Sequence, residues 1–376
     1  MGASGPARGR CLPTLLSAGD ARPRAIRSGP LWPGARHTHE DRARAIRRGL
    51  AFIYRLATAE KNFAAYGDDF LWCFYTLSAT TADPWLKRTA WRMGQERARQ
   101  WRNDYRRLPA RPSADDVTAW AFGDHAADCL NVRDARLKPA VARAARKFRA
   151  VDFLYFDPVR ERIPRDVPDA CARCETPNRR GRARCRRCGG KLRMFNRYEV
   201  MIDALVTTYS GERYGVRLGA NLADVTAQLA ALRPYRGPRA GAHRGYLDLA
   251  YVVTHVVYAL NDYGRYRLRP AWLPHEFAFL KSHLRQSIAD NDPETTGEFL
   301  DTLKAFGLTQ ADPTIRAGMQ FVLSRQRPDG SWGEGEEGDC YTPYHATWTA
   351  IGGLMDYAYR GERTCFPHAL RRAQRG

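Results

Sequence analysis

The stretch from Ile315 to Leu354, IRAGMQFVLSRQRPDGSWGEGEEGDCYTPYHATWTAIGGL, reads as helix, tight loop, helix. Ile315, Met319, Phe321, Val322 and Leu323 supply the apolar residues of the first helix, which stops at Gln326. Pro328, Asp329 and Gly330 break it, because proline has no amide to donate and glycine accepts a positive φ. Trp332 follows at once, and a second, apolar helix starts near Tyr341. Gln326 carries two donors and an acceptor, enough to tie helix ends to a loop carbonyl. Trp332 can cover that amide and bury a large area. Both residues read as structural clamps rather than catalytic groups.

Arg316, the pair Phe321-Val322, and Gln326, Gly330 and Trp332 in the spacing Q-x3-G-x-W make this stretch resemble the QW repeat of squalene cyclases and their relatives. The segment YHATWTAIGGL continues as that family's inner helix does, and protein prenyltransferase β subunits use the same architecture. The resemblance implies an all-α fold, an α/α toroid of repeated helix pairs. It also implies an enzyme of the isoprenoid-processing group, holding a hydrophobic or isoprenoid-type small molecule in an aromatic-lined central cavity, where Tyr and Trp faces stabilise cations. The D-x-D-D signature of the cyclases is absent: the nearest stretch, Tyr66-Gly67-Asp68-Asp69, lacks its first Asp. Prenyltransferase β subunits hold catalytic zinc with Asp, Cys and His. Asp339, Cys340 and His345 offer those residue types for a second metal, at a different spacing.

A chain of 376 residues with 44% hydrophobic residues can bury a large core. The longest apolar run, Leu247 to Leu260, is broken by Asp248, Thr254 and His255, so no run suits a bilayer span. The formal net charge of +21 favours polyanionic partners such as nucleic acid, anionic lipid or a diphosphate; a solvated, arginine-rich surface is the alternative. Of nine cysteines, four form tight pairs and the rest are scattered. That pattern argues against a disulfide scaffold and for a reducing, cytoplasmic location.

The order along the chain suggests five parts. Residues 1–39 form an Arg-rich, disordered and dispensable tail; 40–160 form the N-terminal half of the helical toroid. Within that half, NFAAYGDDFLWCFY (62–75) looks like a degenerate copy of the SWGEGEEGDCYTPYHATW unit, with a helix starting at Asp69. Repeated helix pairs are what a toroid requires, since no single pair buries its own face. A zinc-ribbon insert occupies 161–194, the C-terminal half of the toroid 195–362, and a basic tail 363–376.

Cys171, Cys174, Cys185 and Cys188 stand in a C-x2-C-x10-C-x2-C array. Each C-x-x-C lets two thiolates of one turn reach one ion, and four thiolates suit tetrahedral zinc with no open position for water. The metal is therefore read as structural Zn2+, in a module resembling a zinc ribbon. Its basic loop, ETPNRRGRAR, could dock a protein partner or touch nucleic-acid phosphates. A non-catalytic toroid scaffold with a docking ribbon is thus the main alternative to an enzyme.

Polar stripes on apolar helices supply the candidate site. Tyr251, Thr254, His255 and Tyr258 stand at i, i+3, i+4 and i+7. Tyr341, Tyr344, His345 and Trp348 repeat that spacing, as do Asp69, Trp72, Cys73 and Thr76; around His125 the polar set is Asp124, His125 and Asp128. The candidate catalytic residues are His255, His345, Asp68, Asp69, Asp339 and Tyr258. The candidate substrate-binding residues are Tyr251, Tyr341, Tyr344, Trp348, Trp72 and Arg265. At least one of the two histidines is expected to line a central pocket, with Tyr258, Tyr344 or Trp348 and an aspartate within reach. Asn261, Asp262 and Tyr263, with Arg265 and Arg267, read either as an anion site or as a helix C-cap. His255, Tyr258, Asn261 and Tyr263 would also suit a toroidal polysaccharide lyase or epimerase.

Overall fold

The computed structural model describes residues 38–174, 176, 178, 180–237 and 243–375. The expected N-terminal tail lies outside these residues, except for its last two. Thr38 and His39 belong to the first helix, α1 (His39–Thr58): Thr38 Oγ1 accepts from the Asp41 amide at 3.2 Å, and Asp41 accepts from the Thr38 amide at 2.9 Å.

The described residues are mostly helical. Many helices open on side-chain caps written in the sequence. Asp-Pro steps start α3 (Pro84–Asp104), α11 (Pro293–Ala305) and α12 (Pro313–Ser324), where Asp83, Asp292 and Asp312 accept from first-turn amides. Capping boxes start α4 (Ala114–Cys129), with Ser113 and Asp116, and α7 (Arg197–Tyr214), with Asn196 and Glu199. The two strands, β1 (Asp166–Pro168) and β2 (Met194–Asn196), pair antiparallel with Val167 opposite Phe195.

The other principal helices are α2 (Glu60–Thr80), α5 (Leu137–Ala145), α6 (Ala150–Leu154), α8 (Leu222–Thr226), α9 (His243–Asn261), α10 (Pro274–Ala289), α13 (Tyr341–Leu354) and α14 (Pro367–Gln374). Contacts follow chain order: α2 packs on α4, α4 on α7, α7 on α9, α9 on α11, and α11 on α13. The last helix of this series then meets the first. Phe70 and Tyr344 have ring centroids 4.5 Å apart, Tyr66 and Tyr341 5.2 Å, and α1 packs on both α2 and α13. The α11–α13 pair is close because Gly297 faces it: a Cβ there would stand 2.7 Å from the Thr349 backbone.

The Q-x3-G-x-W residues hold this closure. Trp332 is fully buried; its Nε1 donates to the Val322 carbonyl at 2.6 Å and its amide to Thr347 Oγ1 at 3.0 Å. Gln326 Nε2 donates to the carbonyls of Ala45 (2.8 Å) and Gly330 (3.0 Å). Gly330 has φ +95°, and a Cβ there would stand 2.7 Å from the Arg48 carbonyl oxygen. Arg48 and Arg55 of α1 donate to carbonyls of the same loop. The clamp therefore joins the α12–α13 turn to the first helix.

Two expectations are corrected. α2 begins at Glu60 rather than Asp69, with one non-helical residue, Tyr66 (φ −135°, ψ 24°), just before Gly67. Burial of Phe63 on the core keeps the earlier turns helical. The 363–376 segment is not merely a basic tail: it contains α14, which buries Ala369, Leu370 and Ala373 and packs on α8. Its arginines mark the solvent face of an amphipathic helix. No helix among the described residues is long and apolar enough to cross a membrane.

Candidate active site

The helices α2, α4, α7, α9, α11 and α13 all contribute side chains to one cavity of about 390 Å³, which Phe195 of β2 and, beside the strands, Asp169 and Arg193 also line. Its wall is aromatic and acidic. Trp72, Tyr258, Tyr263, Tyr341 and Trp348 give apolar faces. Asp68, Asp69, Asp169, Asp203, Glu298 and Asp301 give carboxyl groups, and Arg193 is the single Lys or Arg among the lining residues.

The two histidines share this cavity and are held in different ways. On α9, His255 Nδ1 lies 2.8 Å from the Tyr251 carbonyl oxygen. A carbonyl only accepts, so Nδ1 carries the hydrogen and Nε2 keeps its lone pair. Desolvation, the largest influence, lowers the His255 pKa to about 4, and the nearby His345 adds to the fall. His255 is therefore neutral at pH 7. On α13, His345 Nδ1 lies 2.5 Å from Glu294 Oε1, which also accepts from the Tyr251 hydroxyl at 2.8 Å. Burial alone would lower the His345 pKa. The Glu294 hydrogen bond and the charges of Glu294, Glu298 and Asp69 together outweigh it and raise the pKa to about 9. His345 is therefore an imidazolium at pH 7.

The carboxyl groups are shifted the other way. Burial raises Glu298 to about 8, against the lowering pull of His345 and of the Thr254 hydroxyl, which donates to Glu298 Oε2 at 2.6 Å. Asp69 is raised to about 7 by desolvation and by the charge of Asp68; its Oδ2 is buried without a hydrogen-bond partner. Desolvation raises Asp301 to about 6, while the Lys304 charge and bonds from Tyr357 and Tyr258 oppose it. Lys304 itself caps α13, donating to the carbonyls of Gly352, Gly353 and Met355 at 2.7–2.9 Å.

The residues singled out in the sequence divide clearly. Asp68, Asp69, Trp72, His255, Tyr258, Tyr341, His345 and Trp348 line the cavity. Tyr251 and Tyr344 stand behind the wall: Tyr251 on Glu294, and Tyr344 donating to the Asp69 carbonyl at 3.1 Å. Asp339 and Arg265 do not line it. Asp339 Oδ1 accepts from the amides of Tyr341 (2.8 Å) and Thr342 (3.2 Å), the work of a helix start. Arg265 pairs with Asp262 at 3.4 Å and lies over the Tyr75 ring. Asn261, Asp262 and Tyr263 form the C-terminal cap of α9, with positive φ at Asp262 and Tyr263 and the Gly264 amide donating to Asn261 Oδ1. Asp124 and Asp128 are tied by Arg102, and His125, lowered to about 3 chiefly by burial, packs on Trp72 outside the cavity wall.

The sequence reading missed α11. The partner expected for the histidines was an aspartate, and the structure supplies Glu294 instead. Glu294, Glu298 and Asp301 stand at i, i+4 and i+7 of PETTGEFLDTLKA, so the signal was an acidic stripe on a helix otherwise buried all round.

The four cysteines of the insert meet. Their sulfurs all lie within 4.8 Å of one another, and Cys171–Cys188, Cys174–Cys185 and Cys174–Cys188 are each 3.5 Å apart. A tetrahedron with metal–sulfur bonds of about 2.3 Å has edges of roughly 3.8 Å, so the cluster suits a four-thiolate ion. Among the described residues it is the only such group; Asp339, Cys340 and His345 do not converge as one. No protein-family model, curated protein or solved structure matches this chain.

Proposed function

We propose that the inner helices form an α/α toroid of the kind used by isoprenoid-processing enzymes. The chain then acts as an acid–base catalyst on an uncharged, largely apolar substrate of isoprenoid type. One observation carries this reading: two histidines face one aromatic cavity, and their surroundings drive them to opposite protonation states. Pairs of titratable groups whose pKa values are pushed apart mark acid and base.

The roles follow from the contacts. Glu298 and Asp69, raised toward neutrality, still hold protons near pH 7; a raised pKa makes each a weaker donor, so transfer to an alkene rests on stabilising the carboxylate and the cation that result. Transfer forms a carbon–hydrogen bond and a carbocation, and leaves a carboxylate beside the His345 imidazolium, which stabilises it. The faces of Trp72, Tyr258 and Trp348 line the space where positive charge develops. His255, neutral with Nε2 free, is the base that removes the final proton. A diphosphate substrate is disfavoured, because Arg193 is the single guanidinium on a wall that also carries Asp68, Asp169, Asp203 and Asp301 beside the protonated Glu298 and Asp69, and the His345 imidazolium is already paired with Glu294. A uronate polymer is disfavoured for the same reason. The open volume weighs against a scaffold whose centre is filled. In the insert, zinc is the metal proposed, as a structural ion.

The test is incubation with a panel of acyclic isoprenoid alcohols and hydrocarbons in D2O, with products read by mass spectrometry. Deuterium incorporation that is lost in Glu298→Gln and His255→Ala is expected. Turnover of a prenyl diphosphate or of a uronate oligomer, with the hydrocarbons inert, would replace this reading.

A further inference from the structure

The four-cysteine cluster and the cavity are joined by a short path. Asp169, Arg193 and Phe195 line the cavity; Phe195 belongs to the ladder from which the cysteine excursion departs, and Asp169 and Arg193 are the first residues beyond it. The Asp169 amide donates to the Arg193 carbonyl at 2.9 Å, one step beyond the last strand pair, Pro168 with Met194. Arg193 stacks on the Phe195 ring at 4.5 Å and pairs with Glu199 at 3.0 Å. Its side chain is 30% exposed while lining the cavity, so it stands where the cavity meets solvent.

The described residues of the excursion between Asp169 and Arg193 have little else to order them. Its own buried hydrophobic cluster consists of Cys171, Cys185 and Leu192, separate from the main core. Among the described residues, the excursion is tied to the body apart from the ladder by Arg180, which pairs with Glu161 at 2.6 Å and donates to the Tyr155 carbonyl. The strands themselves rest on the body, with Val167 and Phe195 buried in the main core and both strands against α7, but a ladder of three pairs gives the excursion beyond it little support. Without an ion, four thiols and one leucine give no core, so closing the loop falls to the metal.

We propose that the four-cysteine site is a functional part of the cavity entrance: its metal holds Arg193 and Phe195 in place as the rim that selects what enters. Phe195 offers an apolar edge and Arg193 a cation at an otherwise acidic opening. The inference does not depend on which reaction the cavity performs.

The experiment uses the full chain and zinc itself as the probe. Zinc is removed by a chelator, or by Cys174→Ser with Cys188→Ser, and its loss is measured by elemental mass spectrometry. Hydrogen exchange is then followed in peptides spanning 166–169 and 193–196, against peptides of α9 and α11. Acrylamide quenching reports access to the cavity, with Trp348→Phe used to subtract all other tryptophans. The expected result is a loss of protection of about tenfold or more in the two strands, unchanged protection in α11, a rise in Trp348 quenching, and reversal on adding zinc. Phe195→Ala should raise the quenching with zinc still bound. Strands that stay protected after zinc leaves would overturn the proposal. So would loss of protection across all helices together, since the metal would then hold the whole fold rather than the rim. Unchanged quenching in Phe195→Ala would remove Phe195 from the entrance.

Discussion

The four-cysteine knuckle and the helical cavity are built on opposite principles. The knuckle draws its four ligands from Cys171 to Cys188, and its spacing alone announces it. The cavity joins Asp69 of α2 to Glu298 of α11 and His345 of α13, so its chemistry exists only once distant helices are packed. The knuckle gathers four sulfurs close enough to share one ion, whereas the cavity is ordered by burial spread over a large apolar core. Damage to one should therefore leave much of the other standing.

The largest effect should come from the clamp. Trp332→Ala removes a fully buried indole and its bond to Val322, and should cost about 3–5 kcal/mol in denaturant unfolding. Zinc content at temperatures where the variant is folded should stay at the wild-type value. Parallel loss of zinc would show the two regions to be one unit. Conversely, Cys188→Ser should abolish stoichiometric zinc while the thermal midpoint followed by helical circular dichroism moves little. A collapse of that midpoint would break the comparison from the other side.

Within the cavity, Glu294→Gln should lower the His345 pKa from about 9 to its ordinary 6.5 or below, read by NMR titration of the imidazole. Tyr251→Phe should move it far less, because it removes a neutral donor and leaves the Glu294 charge in place. A His345 that still titrates near 9 without Glu294 would disprove the pairing.

Stability should also depend on pH through the same groups. In the folded chain His345, Glu298 and Asp69 all bind protons more tightly than their ordinary values allow. The folded state therefore carries more protons, and stability falls as pH rises: through about 4 to 7 for Asp69, 4.5 to 8 for Glu298, and 6.5 to 9 for His345. His255, lowered to about 4, acts oppositely below pH 6.5. Glu298→Gln should flatten the decline between pH 4.5 and 8, seen in denaturant midpoints across that range. An unchanged slope would show that Glu298 is not the buried acid described.

The smallest effect is expected at Asp339. Asp339→Asn keeps an oxygen for the Tyr341 and Thr342 amides, so stability should change by less than about 0.5 kcal/mol and the His345 titration not at all. A displaced His345 titration would return Asp339 to the site.

These contrasts explain which features could be read early. Gln326, Gly330 and Trp332 were recognisable because a tight turn, a positive φ and a buried indole need those residues at fixed offsets. The histidine stripes of α9 and α13 stood out against apolar neighbours. Glu294 and Glu298 did not, because acidic residues on a helix usually mean a solvated face, and nothing local says that this face is covered. Asp339 misled for the converse reason: a helix-start aspartate and a catalytic aspartate have the same letter and differ only in which amides lie within reach.

By itself, the sequence determined the helical class, the helix caps, the Q-x3-G-x-W clamp and the four-thiolate cluster. All of these depend on residues within one or two turns of each other, or on a spacing that backbone geometry fixes. Tertiary structure alone decided that α11 faces the two histidines and that Glu294 charges His345 while a backbone carbonyl leaves His255 neutral. It also set Phe195 and Arg193 beside that cavity. Protonation and access are set by desolvation and by the nearest charge, and those are properties of packed neighbours rather than of any one stretch of chain.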